Sequence, residues 1–123
     1  MTHYIVLKDM TSGQILYEGA GTVSAKDGEK TVVQFGNRDA RYTYELYEDH
    51  CCILSEQEMI VRLKLDPCKD EEGTIETPFG MLDVTTSARL YDFHNNSAEV
   101  KYTLSLQGDE QIFHFKLDIA EKE

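Results

Sequence analysis

The sequence predicts an all-β fold, a single closed antiparallel barrel of roughly eight to ten strands. Two observations support this fold class: apolar and polar residues alternate over many short segments, and turn sequences separate those segments. The strongest helical pattern is a single turn at Ser55–Met59. A barrel is preferred to a sandwich because closure removes the exposed strand edges of a long sheet.

The first half of the chain contains six predicted strands, and the charged segment Lys69–Gly73 is predicted to be a surface loop. The six strands are Tyr4–Lys8, Gln14–Ala25, Thr31–Phe35, Tyr42–Tyr47, Cys51–Leu54 and Met59–Leu65. Asp27-Gly28 is a strong hairpin signal, and a two-residue turn there places Val23 opposite Val32.

Gly19 and Gly21 fall on the face of the second strand that also carries Ile15, Tyr17 and Val23. Glycine weakens a strand, so two glycines on one face indicate a sharp bend or the close approach of a bulky group. A corner of a small barrel is one interpretation, and a ligand lying against the glycines is the other.

The last hairpin joins Ala98–Gln107 to Phe113–Ile119. A two-residue loop at Gly108-Asp109 pairs Leu104 with Phe113 and Tyr102 with Phe115, so that apolar residues meet on one face.

The hairpin before it joins Leu82–Leu90 to the same strand. A two-residue Asn95-Asn96 loop would place Tyr91 opposite Val100. A three-residue loop at His94–Asn96 would place Leu90 opposite Val100 and Ala88 opposite Tyr102. The three-residue loop is preferred because it keeps one apolar face across all three strands.

Thr77-Pro78-Phe79-Gly80 suits a type I turn, and contact with a ligand is the alternative interpretation. The segment Ile75–Leu82, the pair Thr85-Thr86 and the segment Tyr102–Leu104 resemble the YwiB-like family, a bacterial family of unknown function. The resemblance is best from about Cys51 onward. It implies a closed calycin-like (lipocalin-like) barrel, and it supplies no activity to carry over.

Composition indicates one soluble, acidic domain over residues 1–123. Lysine and arginine number 12 and aspartate and glutamate 23, which gives a net charge of −11. A nucleic-acid partner and an anionic membrane surface are therefore not expected. No apolar run reaches the ~20 residues of a membrane-spanning helix, and the first residues lack the pattern of a signal peptide. The expected compartment is the cytoplasm.

The sequence supplies no motif for catalysis, a metal or a cofactor, and the protein is expected not to be an enzyme. His50, Cys51, Cys52 and Cys68 come nearest to a metal cluster. Adjacent cysteines on a strand point to opposite faces, so Cys51 and Cys52 are not expected to share one ion. Whether any of the three thiols is redox-active depends on its exposure and pKa.

The candidate ligand-binding residues are Tyr44, Arg89, Tyr102, Phe113 and Phe115. The four aromatic residues are predicted to point inward, where they could hold a small amphipathic molecule or simply fill the core. Arg89 and Arg62 are predicted to point outward, and either would become a carboxylate partner if it pointed inward. The alternatives are a packed module that forms a homodimer through a face near Tyr47 or Tyr91, and an unrecognised hydrolase.

Overall fold

The structure is a computed structural model that describes residues 2–26 and 30–121, and its described part contains ten antiparallel strands. The strands are β1 (Thr2–Asp9), β2 (Ile15–Lys26), β3 (Lys30–Gly36), β4 (Arg41–Leu46), β5 (Cys51–Glu56), β6 (Ile60–Leu65), β7 (Glu71–Thr77), β8 (Gly80–His94), β9 (Ser97–Leu106) and β10 (Asp109–Glu121). Each strand pairs with the next along the chain, and β1 pairs with β10, which closes the ring. The predicted closed antiparallel barrel of eight to ten strands is confirmed.

The core lies inside the ring and is built by the predicted alternation. On β9, Ala98, Val100, Tyr102 and Leu104 are buried and face inward. Other strands contribute fully buried aliphatic residues, including Ile5, Val33, Leu46, Leu65 and Leu117. Burying one such side chain contributes roughly 1.5–3 kcal/mol, so the alternation itself holds the ring together.

The β9–β10 turn lies one residue earlier than predicted. Gln107 and Gly108 form it with φ values of 51° and 89°, as a two-residue hairpin turn of type I′ requires. Phe113 therefore pairs with Tyr102, and the predicted pairing of Phe113 with Leu104 is wrong. The strand shifts by two residues, and because the side-chain period is also two, the predicted inward face is retained.

The β8–β9 hairpin combines features of both alternatives. Asn95 and Asn96 form a two-residue turn with φ values of 52° and 60°, so the preferred three-residue loop is wrong. Tyr91 pairs with Val100, and Leu90 is exposed rather than inward. A β-bulge between Ala88 and Leu90 accommodates Arg89 as the extra residue and restores the predicted pairing of Ala88 with Tyr102.

Two predictions about β2 need correction. Val23 pairs with Val33, not Val32, and the Asp27-Gly28 turn lies outside the described residues. A bulge in the β1–β2 pairing leaves Ile15 opposite Lys8 and exposed, so it does not share the inward face of Tyr17.

The predicted charged loop is shorter than expected because β7 already begins at Glu71. Lys64 on the neighbouring strand reaches the Glu71 carboxylate at 3.0 Å, which allows this residue to sit within the sheet. Ser55 and Glu56 complete β5 and residues 57–59 form a bend, so the proposed helical turn is replaced by a strand end.

Candidate functional site

The two ends of the barrel carry different groups of loops. The up-and-down strand order places residues 10–14, 37–40, 57–59, 78–79 and 107–108 at one end, called here the upper end. Residues 47–50, 66–70 and 95–96 lie at the opposite, lower end. The inward side chains near these two ends decide which of them could admit a molecule.

The lower end is crossed by a hydrogen bond. Tyr91 on β8 donates from its hydroxyl to the carbonyl oxygen of Tyr47, in the β4–β5 loop, at 2.5 Å. β8 and β4 are four strands apart in the ten-strand ring, so the bond spans the interior. Burial is the main cause that raises the pKa of Tyr91, so its phenol stays protonated and remains a donor.

Two tyrosines deeper in the barrel place hydroxyl groups in the core without a partner. Tyr44 on β4 is 3% exposed and Tyr102 on β9 is 4% exposed. Neither hydroxyl forms a hydrogen bond with any residue that the structure describes. By contrast, the Tyr17 hydroxyl donates to Ala20 and the Tyr42 hydroxyl accepts from Gln57. Neither phenol oxygen is among the fully enclosed side-chain atoms that lack a partner, so both keep a small contact with solvent.

The electrostatic surroundings keep both phenols neutral. Burial raises the pKa of Tyr44 well above its ordinary value, and Tyr102 raises it further. Burial also raises the pKa of Tyr102, with a smaller contribution from Cys51. A neutral phenol in an apolar interior can orient a ligand by donating one hydrogen bond.

Aromatic rings line two parts of the wall around these hydroxyls. On one side, the Tyr102 ring lies 5.4 Å from Phe113 and 6.2 Å from Phe115, measured between centroids. On the other side, Phe35 is the centre of a second group, 5.0 Å from both Tyr17 and Tyr42 and 5.8 Å from Tyr44. Phe113, Phe115, Tyr17 and Tyr42 are only half-buried. The candidate site is the interior between these two aromatic groups.

Four of the five predicted ligand residues belong to this interior, and one does not. Tyr44 and Tyr102 are buried, and Phe113 and Phe115 pack against the core. Arg89 is exposed as the extra residue of the β8 bulge, so it does not line the interior. Its position agrees with the predicted outward orientation and removes it as a partner for a ligand inside the barrel.

The prediction missed Phe35 and its ring partners Tyr17 and Tyr42. All three already lay on inward-facing positions of the predicted strands. Their grouping depends on which strands become neighbours around the ring, which alternation within one strand does not reveal. Tyr91 was placed on an exposed face because the turn length, and hence its orientation, was predicted wrongly.

The two inward glycines of β2 are close to the protein's own side chains. A Cβ atom on Gly21 would lie 2.5 Å from Ile5 Cγ1 and 2.9 Å from the Gln34 carbonyl oxygen. A Cβ on Gly19 would lie 3.1 Å from the Tyr17 hydroxyl. Close packing within the barrel therefore accounts for both glycines without a ligand.

Four cavities lie on the outer wall and among the upper loops. One of about 450 Å³ is bordered by Cys52, Arg62 and Lys64, and one of about 730 Å³ by Arg38 and Arg41. The other two, of about 460 and 610 Å³, share Glu58 and Met59 at the upper end. None of these four is lined by Tyr102, Phe113 or Phe115. The cavity beside Arg38 and Arg41 is also bordered by Phe35 and Tyr42, so it meets the Phe35 group at the upper rim.

The cysteines occupy three different environments. Cys51 is buried in the core, and its pKa is raised to about 12, mainly by burial and secondarily by Cys52. Cys52 borders the outer cavity and Cys68 is exposed, so the expected opposite orientation of the adjacent pair is confirmed. Among the described residues, no group of three or more His, Cys, Asp or Glu side chains is placed to hold a metal ion.

The strand order defines an up-and-down antiparallel β-barrel. The Tyr91–Tyr47 hydrogen bond crosses its lower end, and aromatic side chains line its upper half. The crystal structure of the YwiB protein from Bacillus subtilis is similar, with a TM-score of 0.67 and 10% sequence identity over 99% of this chain and 89% of that chain. The match confirms the YwiB-like fold that the sequence resemblance implied. No protein-family model and no curated protein matches the sequence. Within residues 2–26 and 30–121, no helix has the length and apolar character to cross a membrane.

Proposed function

We propose that the barrel binds one small amphipathic molecule, without catalysis, between its two aromatic groups. The observation that carries this proposal is the pair of inward Tyr44 and Tyr102 side chains, whose hydroxyls form no hydrogen bond with a described residue. A bound molecule with an acceptor oxygen would give each phenol a hydrogen-bond partner in apolar surroundings.

The surroundings of these hydroxyls define the class of ligand. Phenylalanine rings on one wall and the Phe35 group on the other require an apolar body. The two phenols supply donors and, because they stay protonated, they suit a carbonyl, ether, hydroxyl or carboxylate oxygen. An apolar molecule with one or two oxygen atoms fits both requirements.

Entry from the upper end is supported by the distribution of exposure. Tyr42, Phe113 and Phe115 are half-buried, whereas the lower end is spanned by the Tyr91–Tyr47 hydrogen bond. At the rim, the Tyr42 hydroxyl accepts a hydrogen bond of 3.2 Å from Gln57, in the β5–β6 loop. Rotation of Tyr42 away from Gln57 would open a path into the aromatic half.

A second candidate is a packed module that binds no small molecule and forms a homodimer. The observation that favours it is the contact at Gly21, where Ile5 and Phe35 already occupy the space that a ligand would need. The predicted dimer face loses Tyr91, because that side chain points inward to Tyr47. A homodimer would have to use another face.

Native mass spectrometry of protein purified from cells separates the two candidates. We expect the monomer to retain a small molecule, and the double variant Tyr44→Phe/Tyr102→Phe to lose it. The matched control is Tyr47→Phe, which removes a tyrosine hydroxyl outside the barrel interior. A dimer with nothing bound would support the packed module, and equal retention by the double variant would contradict the role assigned to the phenols.

A further inference from the structure

A group of exposed apolar side chains at the upper end has no role in the proposed ligand site. It consists of Met59, Pro78, Phe79 and Met81 and is called here the upper patch. Phe79 is 99% exposed, Met81 56% and Met59 48%. Together they border a cavity of about 610 Å³ between the β5–β6 loop and the β7–β8 turn. A fully exposed phenylalanine beside other apolar groups is typical of an interaction surface.

The turn that carries Phe79 is held in place by its own hydrogen bonds. The Phe79 amide donates to the Thr77 hydroxyl oxygen at 3.1 Å, and that hydroxyl donates to the Gly80 carbonyl oxygen at 2.9 Å. Gly80 has a φ of 136°, which a residue with a side chain would adopt only with strain. The phenyl ring is therefore presented to solvent by an ordered turn, so binding would cost little ordering of the backbone.

The rim of the upper patch is acidic. Glu58 borders the cavity, and Glu76 pairs with Met81 across β7 and β8, on the same outer face. Glu56 and Asp83 lie on the neighbouring outward positions of β5 and β8. None of these four carboxylates forms an ion pair with a residue of the described ranges.

Three arginines lie near this rim: Arg41 pairs with Glu56 across β4 and β5, Arg38 lies in the β3–β4 loop, and Arg62 lies on β6. Arg62 pairs with Thr74, one outward position further from the upper end than the pair of Ile60 with Glu76. The whole chain has a net charge of −11. Glu76 pairs with Ile60 and Met81 and has no basic cross-strand neighbour, and the acidity of the whole chain disfavours both a second copy of this chain and an anionic membrane surface at the upper patch.

We propose that the upper patch binds a basic amphipathic segment of a partner protein. Two or three apolar side chains of that segment would contact Phe79, Met59 and Met81, and flanking lysine or arginine side chains would face Glu58 and Glu76. This inference does not depend on a ligand inside the barrel, because the exposed side chains and the carboxylates lie outside it.

A peptide-binding experiment tests this inference. The probe is a fluorescent amphipathic peptide of leucine and lysine, about five helical turns long, and its counterpart has glutamate in place of lysine. We expect fluorescence anisotropy to show binding of the lysine peptide only. The variant Phe79→Ser/Met81→Ser should weaken it roughly tenfold or more. The control variant Ile15→Ser/Ile112→Ser alters exposed apolar residues elsewhere and should bind like the wild type.

A second variant separates the acidic rim from the apolar group. Glu58→Gln/Glu76→Gln should weaken binding and reduce its dependence on salt, while the fold stays intact because neither carboxylate is paired. Equal binding of the lysine peptide by wild-type protein and both patch variants would overturn the proposal. Two other results would also overturn the proposal. One is binding of the wild-type protein to phosphatidylglycerol vesicles, and the other is a dimer in sedimentation, in each case abolished by the Phe79→Ser/Met81→Ser variant.

Discussion

Tyr91 donates a hydrogen bond to the Tyr47 carbonyl at 2.5 Å, and these two residues are 44 positions apart in the sequence. The bond joins β8 to the loop after β4 across the lower end of the barrel. We expect Tyr91→Phe to lower the free energy of unfolding by about 1 kcal/mol, because the Tyr47 carbonyl loses its donor in part-buried surroundings. Urea denaturation measures this change.

The control for that prediction is Tyr47→Phe. The Tyr47 ring stacks on His50 with centroids 4.2 Å apart, and the bond from Tyr91 is to the backbone of this residue. The control keeps the ring and the accepting carbonyl. An equal stability of Tyr91→Phe and the wild type would show that the crossing bond contributes nothing.

Removing either unpartnered hydroxyl should have the opposite effect. Tyr44→Phe and Tyr102→Phe keep the ring contacts and delete a hydroxyl that bonds to no described residue. We expect each variant, free of ligand, to be as stable as the wild type or up to about 1 kcal/mol more stable. Thermal unfolding of ligand-free protein gives the comparison with Tyr91→Phe. A loss of stability as large as that of Tyr91→Phe would mean that these hydroxyls are satisfied in solution.

Gly21 is a glycine of β2 where an added methyl group should disrupt the barrel interior. Gly21→Ala would bring a Cβ atom within 2.5 Å of Ile5 Cγ1 and 2.9 Å of the Gln34 carbonyl oxygen, and the backbone oxygen cannot rotate away. We expect a loss of about 1–3 kcal/mol in unfolding free energy, measured with urea. Ala20→Gly, at the exposed neighbour, is the control for strand propensity. Normal stability of Gly21→Ala would contradict the tight packing described at this corner.

Stability should fall in alkaline solution because buried acids resist ionisation. The pKa of Cys51 is raised from 9.0 to about 12, so between these pH values the unfolded chain releases a proton that the folded chain keeps. The contribution of the Cys51 thiol to the free energy of unfolding is fully present below pH 9. Above pH 9 it declines by roughly 1 kcal/mol per pH unit. The raised pKa values of Tyr44 and Tyr102 act in the same direction above pH 10.0.

Urea denaturation at a series of pH values tests this dependence. Cys51→Ala should show a shallower decline above pH 9 than the wild type, whereas Cys68→Ala, at an exposed position, should keep the wild-type slope. Native alkylation with iodoacetamide gives a second readout, because Cys68 should react while Cys51 stays protected. Identical slopes for all three proteins would rule out Cys51 as the source.

The sequence predicted the fold class and most inward faces because both depend on local alternation. Leu104, Tyr102 and Val100 face inward as expected, since a register error of two residues leaves the face of a strand unchanged. The same reasoning failed at Leu90. There, a bulge at Arg89 reverses the alternation within one strand, and no local pattern marks that extra residue.

The candidate site was only partly predictable for the same reason. Tyr44 and Tyr102 could be assigned to the interior from their own strands, and both lie there. Their lack of a hydrogen-bond partner depends on every residue around the ring. The partnership of Tyr91 with Tyr47 depends on the turn at Asn95 and Asn96, where two positive φ values decide which side chains point inward.

The joining of β1 to β10, which pairs Ile5 with Ile119, has a kinetic consequence. The other strand pairs join neighbours in sequence, so their hairpins can nucleate early and locally. Closing the loop between β1 and β10 carries the largest entropy cost of any pairing, and it must follow the formation of β10. We therefore expect formation of the β1–β10 pairing to limit the rate of refolding. Substitutions at Ile5 or Ile119 should slow refolding more than substitutions between β4 and β5.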